Sequence, residues 1–376
     1  LTRVDHRLNT TRGINVWPDN PMGAGAEAMK YRFQWNFPIF FSRHNSDRLY
    51  TASNHLHMSE DEGQTWEVIS PDLTRNDASK LGTSGGPITQ DNTSVEYYCT
   101  VFAADESPIE EGLIWAGSDD GLVHVTRDGG QNWTNVTPKG MPEWMMINSI
   151  EPDPHDAGTC YFAGTKYKLG DYAPYIYKTT DYGKSWTKIT NGIKRDHFTR
   201  VVRVDPAKAG LLYAGTETGM YISYNDGRQW HPFQMNLPIV PITDLTIKDN
   251  NLIAATQGRS LWLIDDLTLI HQNASKTGMS DMTLFDPIDA YLFGSGGGRF
   301  GGSRSGVGQN HAGGVTAFYY LKDYDKKDTL SMSIYQADGE HVRTFSTHAE
   351  DKVNMIKGVK AGSNKFNWNF RYPDAK

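Results

Sequence analysis

Asp119-Asp120-Gly121 places two carboxylates ahead of a glycine, and either could serve acid/base chemistry. The same residues also make an ordinary Asp-Gly hairpin turn, which is the reading adopted here. His55 and His57 stand two apart, the spacing that puts two imidazoles on one face of a strand, where they could share a metal. His57, however, aligns with His124, Tyr177 and Tyr221 in later repeats, so a packing role is expected and no metal site. Glu96 and Arg200 could contact a polar ligand or form an ion pair with a neighbour. "KYKLGDYAP" (166–174) reads as an inserted loop carrying Lys168, Asp171 and Tyr172, and insertions often hold binding groups. Glu217 and Arg259 complete the ligand-binding candidates. Hydrolysis of a glycoside needs two carboxylates about 5–9.5 Å apart. No pair at a diagnostic sequence spacing is present, so the catalytic residues are unknown.

These residues fall in the connections of a repeated unit. "SEDEGQTW" (59–66) returns as "TRDGGQNW" (126–133), "TTDYGKSW" (179–186) and "SYNDGRQW" (223–230). The common pattern is S/T-x-D-x-G-x-x-W. Its members are Ser59, Asp61, Gly63 and Trp66; Thr126, Asp128, Gly130 and Trp133; Thr179, Asp181, Gly183 and Trp186; and Ser223, Asn225, Gly227 and Trp230. The step from Trp186 to Trp230 fits the ~40–45 residues of one four-stranded propeller blade, and the other steps are longer. "RLYTAS", "LIWAGS", "CYFAGT", "LLYAGT" and "NLIAAT" read as second strands, and "HLHMS", "LVHVT", "YIYKT" and "MYIS" as third strands. The motif sits between the third and fourth strands of each blade. A motif present once per blade is a clasp: Asp and Ser/Thr bond the turn backbone, Gly takes positive φ, and Trp packs between sheets. Ligand chemistry is therefore expected on the opposite face, where first-strand entrances and second-to-third connections meet. That face also offers Glu143 and Trp144.

The fold class expected is all-β: a propeller with about five blades present and the ring incomplete, then a partial β-sandwich. The divisions are an opening segment and inter-blade connection over 1–36, blades over 37–272, a connector and Gly-rich linker over 273–314, and a partial immunoglobulin-like domain over 315–376. The Gly-rich stretch is followed by "VTAFYYL", a strand, rather than the helix N-terminus of a phosphate loop, and no cofactor is expected. The chain has 376 residues, 37 Lys and Arg against 44 Asp and Glu, and a net charge of −7. It lacks the basic footprint of a nucleic-acid binder and any apolar run long enough to span a membrane. Cys99, assigned to the first strand of blade two, and Cys160, on the second strand of blade three, are expected not to bond to each other.

S/T-x-D-x-G-x-x-W resembles the Asp-box, or BNR repeat, of sialidases, xyloglucanase-type propellers and the sortilin receptor. "GAEAMKYRFQWNFPIFFS", "NTSVEYYC", "WAGSDDGL", "YKTTDYGKSW" and "ATQGRSLWLIDDL" are similar to large secreted bacterial proteins with a sortilin-type propeller, often labelled glycosyl hydrolases. The resemblance covers about residues 23–272. "YYLKD" and "AGSNKFNWNFRYP" look like the immunoglobulin-like domain attached to them. It implies a secreted, periplasmic or outer-surface protein that binds a protein, peptide or glycan, or else a glycoside hydrolase. It also implies further blades, from the same gene product or another chain, covering the face near residues 37–69. The Arg-Ile-Pro signature of sialidases is absent.

Overall fold

The computed structural model describes residues 1–20, 22–83, 94–274, 280–291 and 313–372. Two compact units divide the chain, 1–263 and 264–376. In the first, four sheets of four antiparallel strands follow one another, each in chain order. Blade one comprises Ile39–Phe41, Leu49–Ala52, Leu56–Ser59 and Glu67–Val68. Blade two is Val101–Glu106, Ile114–Ser118, Val123–Thr126 and Thr134–Asn135. Blade three is Met146–Pro152, Cys160–Lys166, Asp171–Thr179 and Thr187–Lys188. Blade four is Thr199–Val204, Leu212–Thr216, Gly219–Ser223 and His231–Pro232. A three-stranded blade five follows: Ile242–Lys248, Asn251–Thr256 and Leu261–Ile264. The chain is an all-β propeller.

Apolar side chains fill the spaces between blades. Tyr50, Leu56 and Ile69 of blade one meet Val101 and Ile114 of blade two. Trp115 and Val125 pack on Phe162 and Tyr177, and Tyr161 and Ile176 on Val202 and Tyr221. The second strands of blades one to four are buried on both faces, which is why they read as continuous apolar runs.

The clasps lock each blade to the one before it. Within a clasp, the Ser/Thr hydroxyl accepts from the Gly N–H and donates to the Asp, as in Gly63 N to Ser59 Oγ at 2.9 Å and Ser59 Oγ to Asp61 Oδ1 at 2.9 Å. The Asp accepts the backbone N–H four residues on, at Thr65, Asn132 and Ser185. These bonds, led by those from Thr65, hold the Asp61 carboxyl down at about 2. Asn225 serves equally because the turn needs only an acceptor oxygen: Gln229 N reaches its Oδ1 at 2.9 Å. Each indole N–H then donates to the residue after the fourth strand of the previous blade. Trp133 reaches Ile69 O (2.8 Å), Trp186 reaches Val136 O (2.7 Å) and Trp230 reaches Ile189 O (2.7 Å). The clasp glycine has positive φ and lies against that same residue: a Cβ on Gly183 would stand 2.7 Å from Val136 Cβ.

Trp66 follows the rule, and its partner is Ile14 O at 3.1 Å. The segment read as an opening connection over 1–36 is therefore corrected: Thr2–Asp5 and Thr10–Gly13 form a hairpin equivalent to the outer two strands of a further blade. The Ile14 N to Leu1 O bond matches Ile69 N to Leu56 O and Val136 N to Val123 O. Short polar strands carry no periodic signal, and their position is shown by contacts with the blade-one clasp, Trp66 and Gly63 on Ile14 and Arg12 on Glu62 O.

Cys99 lies just before the first strand of blade two rather than on it, at φ 59°, and Cys160 begins the second strand of blade three. Both are buried and free. "KYKLGDYAP" is corrected as well. It is a hairpin extension, with a one-turn 3-10 segment Tyr167–Leu169 and Lys166 paired to Asp171 across it. Gly170, left-handed at φ 78°, closes the turn.

In the second unit, Met282–Leu284, Val315–Leu321 and Gly362–Trp368 form a three-stranded sheet, and Ser331–Tyr335 pairs with His341–Ser346. Part of the expected connector over 273–314 is thus a strand, too short at three residues for its pattern to register. The Gly-rich stretch lies mostly outside the described residues. Phe345 meets Phe366 at 4.8 Å across the two sheets. Among the described residues no helix is long and apolar enough to cross a membrane.

Candidate functional site

The inner strands of all five blades line one channel of about 1720 Å³. Its upper tier comes from a bulge repeated in four blades. In each, one residue is skipped in the pairing of the first strand with the second: Phe102, Asn148, Arg200 and Thr243. A bulge leaves its extra residue unpaired and re-aims the side chain. All four line the channel. The lower tier is set by register: Phe40 faces Tyr50, Asp105 faces Trp115, Glu151 faces Tyr161 and Arg203 faces Tyr213.

The mouth is aromatic and carries charges of both signs. Trp35 is 66% exposed, and its indole N–H donates to Glu96 Oε1 at 3.3 Å. Trp144 stacks on Tyr98 with centroids 6.3 Å apart. Arg75 and Lys80 lie 4.8 and 5.8 Å from the Trp144 ring centre. Trp144 has φ 61°, a left-handed backbone that a bulky residue rarely adopts. Such outliers persist where surrounding structure enforces them and they cluster at binding sites. Tyr167 stacks on Phe198 at 4.9 Å, with Arg200 beside both rings.

Of the eight ligand-binding candidates, Glu96, Asp119, Lys168 and Arg200 line the channel. Glu217 stands behind Arg200, bonded at 2.7 Å. Asp171 accepts from Tyr175 Oη at 2.6 Å and Tyr172 projects outward, 54% exposed; neither lines the channel. Arg259 bonds its own turn at Gly258 O. Asp119 accepts from Thr100 N and Oγ1, both at 2.8 Å. Burial pushes its carboxyl up to about 7. Asp120 accepts from Ser118 Oγ and Arg75 N. Asp119-Asp120-Gly121 is a hairpin turn whose carboxylates are occupied by neighbours.

His57 is fully buried, bonded to Ser53 at 2.8 Å and set among Tyr31 and Phe33. Burial lowers its pKa to about 3. Among the described residues no group of three or more His, Cys, Asp or Glu could hold a metal.

The floor of the channel carries charges that sequence reasoning missed. Arg43 pairs with Asp105 at 3.1 Å. Arg203 pairs with Glu151 at 3.2 Å and Asp244 at 2.8 Å. Each of the five blades contributes one member. Burial pushes Glu151 up to about 7 against the opposing pull of Arg203, and nearby Asp105 adds to the rise. Burial raises Asp105 also. The signal was available in register: "AADE", "SIEP" and "VVRV" place Asp105, Glu151 and Arg203 at one position of the repeat.

These sheets and their shared channel define a β-propeller. No family model matches the chain. It is similar to the oligoxyloglucan-reducing end-specific xyloglucanase of Emericella nidulans, 28% identical over 121 residues, which is 31% of this chain and 14% of that protein. Among solved structures it is similar to an ancestral GH74 enzyme, with a TM-score of 0.45 and 16% identity over 88% of this chain and 40% of the other. It is also similar to the GH74 xyloglucanase from Xanthomonas campestris, with a TM-score of 0.46 and 15% identity over 79% and 43%. The chain spans less than half the length of each.

Proposed function

We propose that this chain is a glycan-binding propeller module of the Asp-box, sortilin-like kind, working outside the cytoplasm where polysaccharides are met. The observation that carries the reading is the open channel mouth with Trp35, Tyr98, Trp144 and Tyr167 on its wall. Aromatic faces stack on the apolar face of a sugar ring while their polar edges and neighbours bond hydroxyls. The candidate carboxylates Asp119 and Glu217 are engaged by protein donors, which suits binding over catalysis. The similarity to a xyloglucanase supports carbohydrate as the ligand class. Calorimetry against a panel of soluble oligosaccharides tests this. Trp144→Ala is expected to weaken binding by at least tenfold with an unchanged melting profile; equal affinity would remove the mouth from the reading.

The alternative is glycoside hydrolysis, favoured by one observation. Asp105 and Glu151 occupy equivalent positions on adjacent inner strands, and Glu151 is held part-protonated near neutrality, as a general acid requires. Release of reducing ends from a bound glycan, lost in Glu151→Gln, would decide for it.

We infer that two further strands, from the same polypeptide or another chain, complete the blade whose outer half is the N-terminal hairpin, along the edge of Thr2–Asp5 that pairs with no other strand among the described residues. The four-stranded form of blades one to four supports this. Unpaired edges are templates for strand addition. Amide exchange is expected to be fast at residues 2–5 in this chain and slowed in a longer product of the same gene. Strong protection in the isolated chain would overturn the inference.

A further inference from the structure

We propose that the channel mouth selects an acidic carbohydrate, a chain of uronate sugars whose carboxylates meet Lys80, Lys166 and Lys168 while a sugar face stacks on Trp144. This rests on the glycan reading above and adds the ligand's charge. The three lysines come from separate elements. Lys80 ends the 3-10 turn Ala78–Lys80 in the connection between blades one and two. Lys166 and Lys168 flank Tyr167 in the hairpin extension of blade three. All three line the same channel.

Of the other charged groups at the mouth, Arg200 has an ionic partner in Glu217, and Arg75, Asp77, Glu96 and Asp119 bond neutral groups. Arg75 donates to Asp120 O at 2.8 Å, and Arg200 is held by Glu217. Asp77 accepts from Ser79 N, Glu96 from Trp35 and Asp119 from Thr100. Among the described residues Lys80, Lys166 and Lys168 make no ion pair or side-chain hydrogen bond, although their fields reach Asp77, Asp171 and Asp119 respectively. The protein is acidic overall, at −7, so three lysines on the lining of one channel are not a consequence of composition. Flanking cations beside an aromatic ring suit a ligand that presents a ring face and a negative charge together. A uronate does so at every residue, with the carboxylate at the ring's edge. Ammonium–carboxylate contacts at an open mouth are screened by salt over a Debye length of about 8–10 Å.

The test is calorimetric titration of the folded chain with an oligogalacturonate, its carboxyl-reduced neutral counterpart and poly-glutamate. Wild type is expected to bind the oligogalacturonate at least tenfold more tightly than the reduced form. Lys166→Gln/Lys168→Gln and Lys80→Gln should each remove most of that preference with unchanged melting profiles. Raising salt to 0.5 M should do the same. Equal binding of the acidic and reduced oligomers, abolished by Trp144→Ala, overturns the acidic preference and leaves the glycan reading standing. Poly-glutamate binding as tight as the oligogalacturonate, with the same lysine dependence, overturns the proposal in favour of an acidic peptide. Binding of neither carbohydrate overturns both.

Discussion

Trp230→Ala is expected to destabilise the propeller by about 3–5 kcal/mol, the range for truncating a large buried aromatic. Trp230 is 1% exposed, packs with Tyr161, Ile176, Ile189 and Tyr221, and donates to Ile189 O at 2.7 Å. The truncation opens a cavity at the blade three–four boundary and leaves that carbonyl without its donor. For a unit of this size the loss corresponds to a fall of ~6–20 °C in Tm. Trp230→Phe retains most of the packing, so about 1–3 kcal/mol should be lost, the cost of an unsatisfied buried acceptor. Trp66→Ala should cost less than Trp230→Ala, because Trp66 is only partly buried. Thermal melts of the three variants check the order. Equal losses at Trp66 and Trp230 would show that burial does not set the strength of the clasp.

Arg203→Leu is expected to cost about 1–3 kcal/mol, chiefly by leaving the part-buried Glu151 carboxylate without its partner, since Asp244 is 62% exposed and adds little. Arg203 is the partner of both Glu151 and Asp244 and also donates to Leu245 O at 2.8 Å. The loss should depend on pH. Glu151 is already raised by burial to about 7 with Arg203 present. Without the guanidinium its folded value rises further above the unfolded one. A raised carboxyl binds its proton more tightly when folded, so its stabilisation is full below the unfolded value and is lost as pH rises through the folded value. The defect is therefore smaller at pH 5 than at pH 8. Adding Glu151→Gln removes the stranded charge and should restore a large part of the loss at pH 8. Denaturant melts at the two pH values check this. The same loss at both, with no recovery in the double variant, would mean that the floor charges are solvated and contribute little.

Much of the fold was legible in the sequence. The clasp announces itself because four residues must recur at fixed spacing to close one turn and reach one carbonyl. Its Asn225 variant is readable for the same reason, since the turn needs an oxygen and not a charge. Apolar second strands are equally plain, because burial on both faces leaves no polar alternation. The N-terminal hairpin was not legible: Thr2–Asp5 and Thr10–Gly13 are short and polar, and tertiary contacts such as the bond from Trp66 to Ile14 assign them to a blade.

The site divides in the same way. Lys168 and Trp144 could be named from the sequence because they fall in connections on the face opposite the clasps, and Arg200 because it stands at the start of an inner strand there. What the sequence determined was the repeat, the blade and that face, since each rests on local spacing. What the tertiary structure alone decided was which side chains meet. A bulge adds one residue to a strand of period two, so Phe102, Asn148, Arg200 and Thr243 turn into the channel against the alternation that would otherwise place them. The partners on the floor come from five different blades, and Arg43 and Asp105, or Glu151 and Arg203, become neighbours only when the blades pack around a common channel.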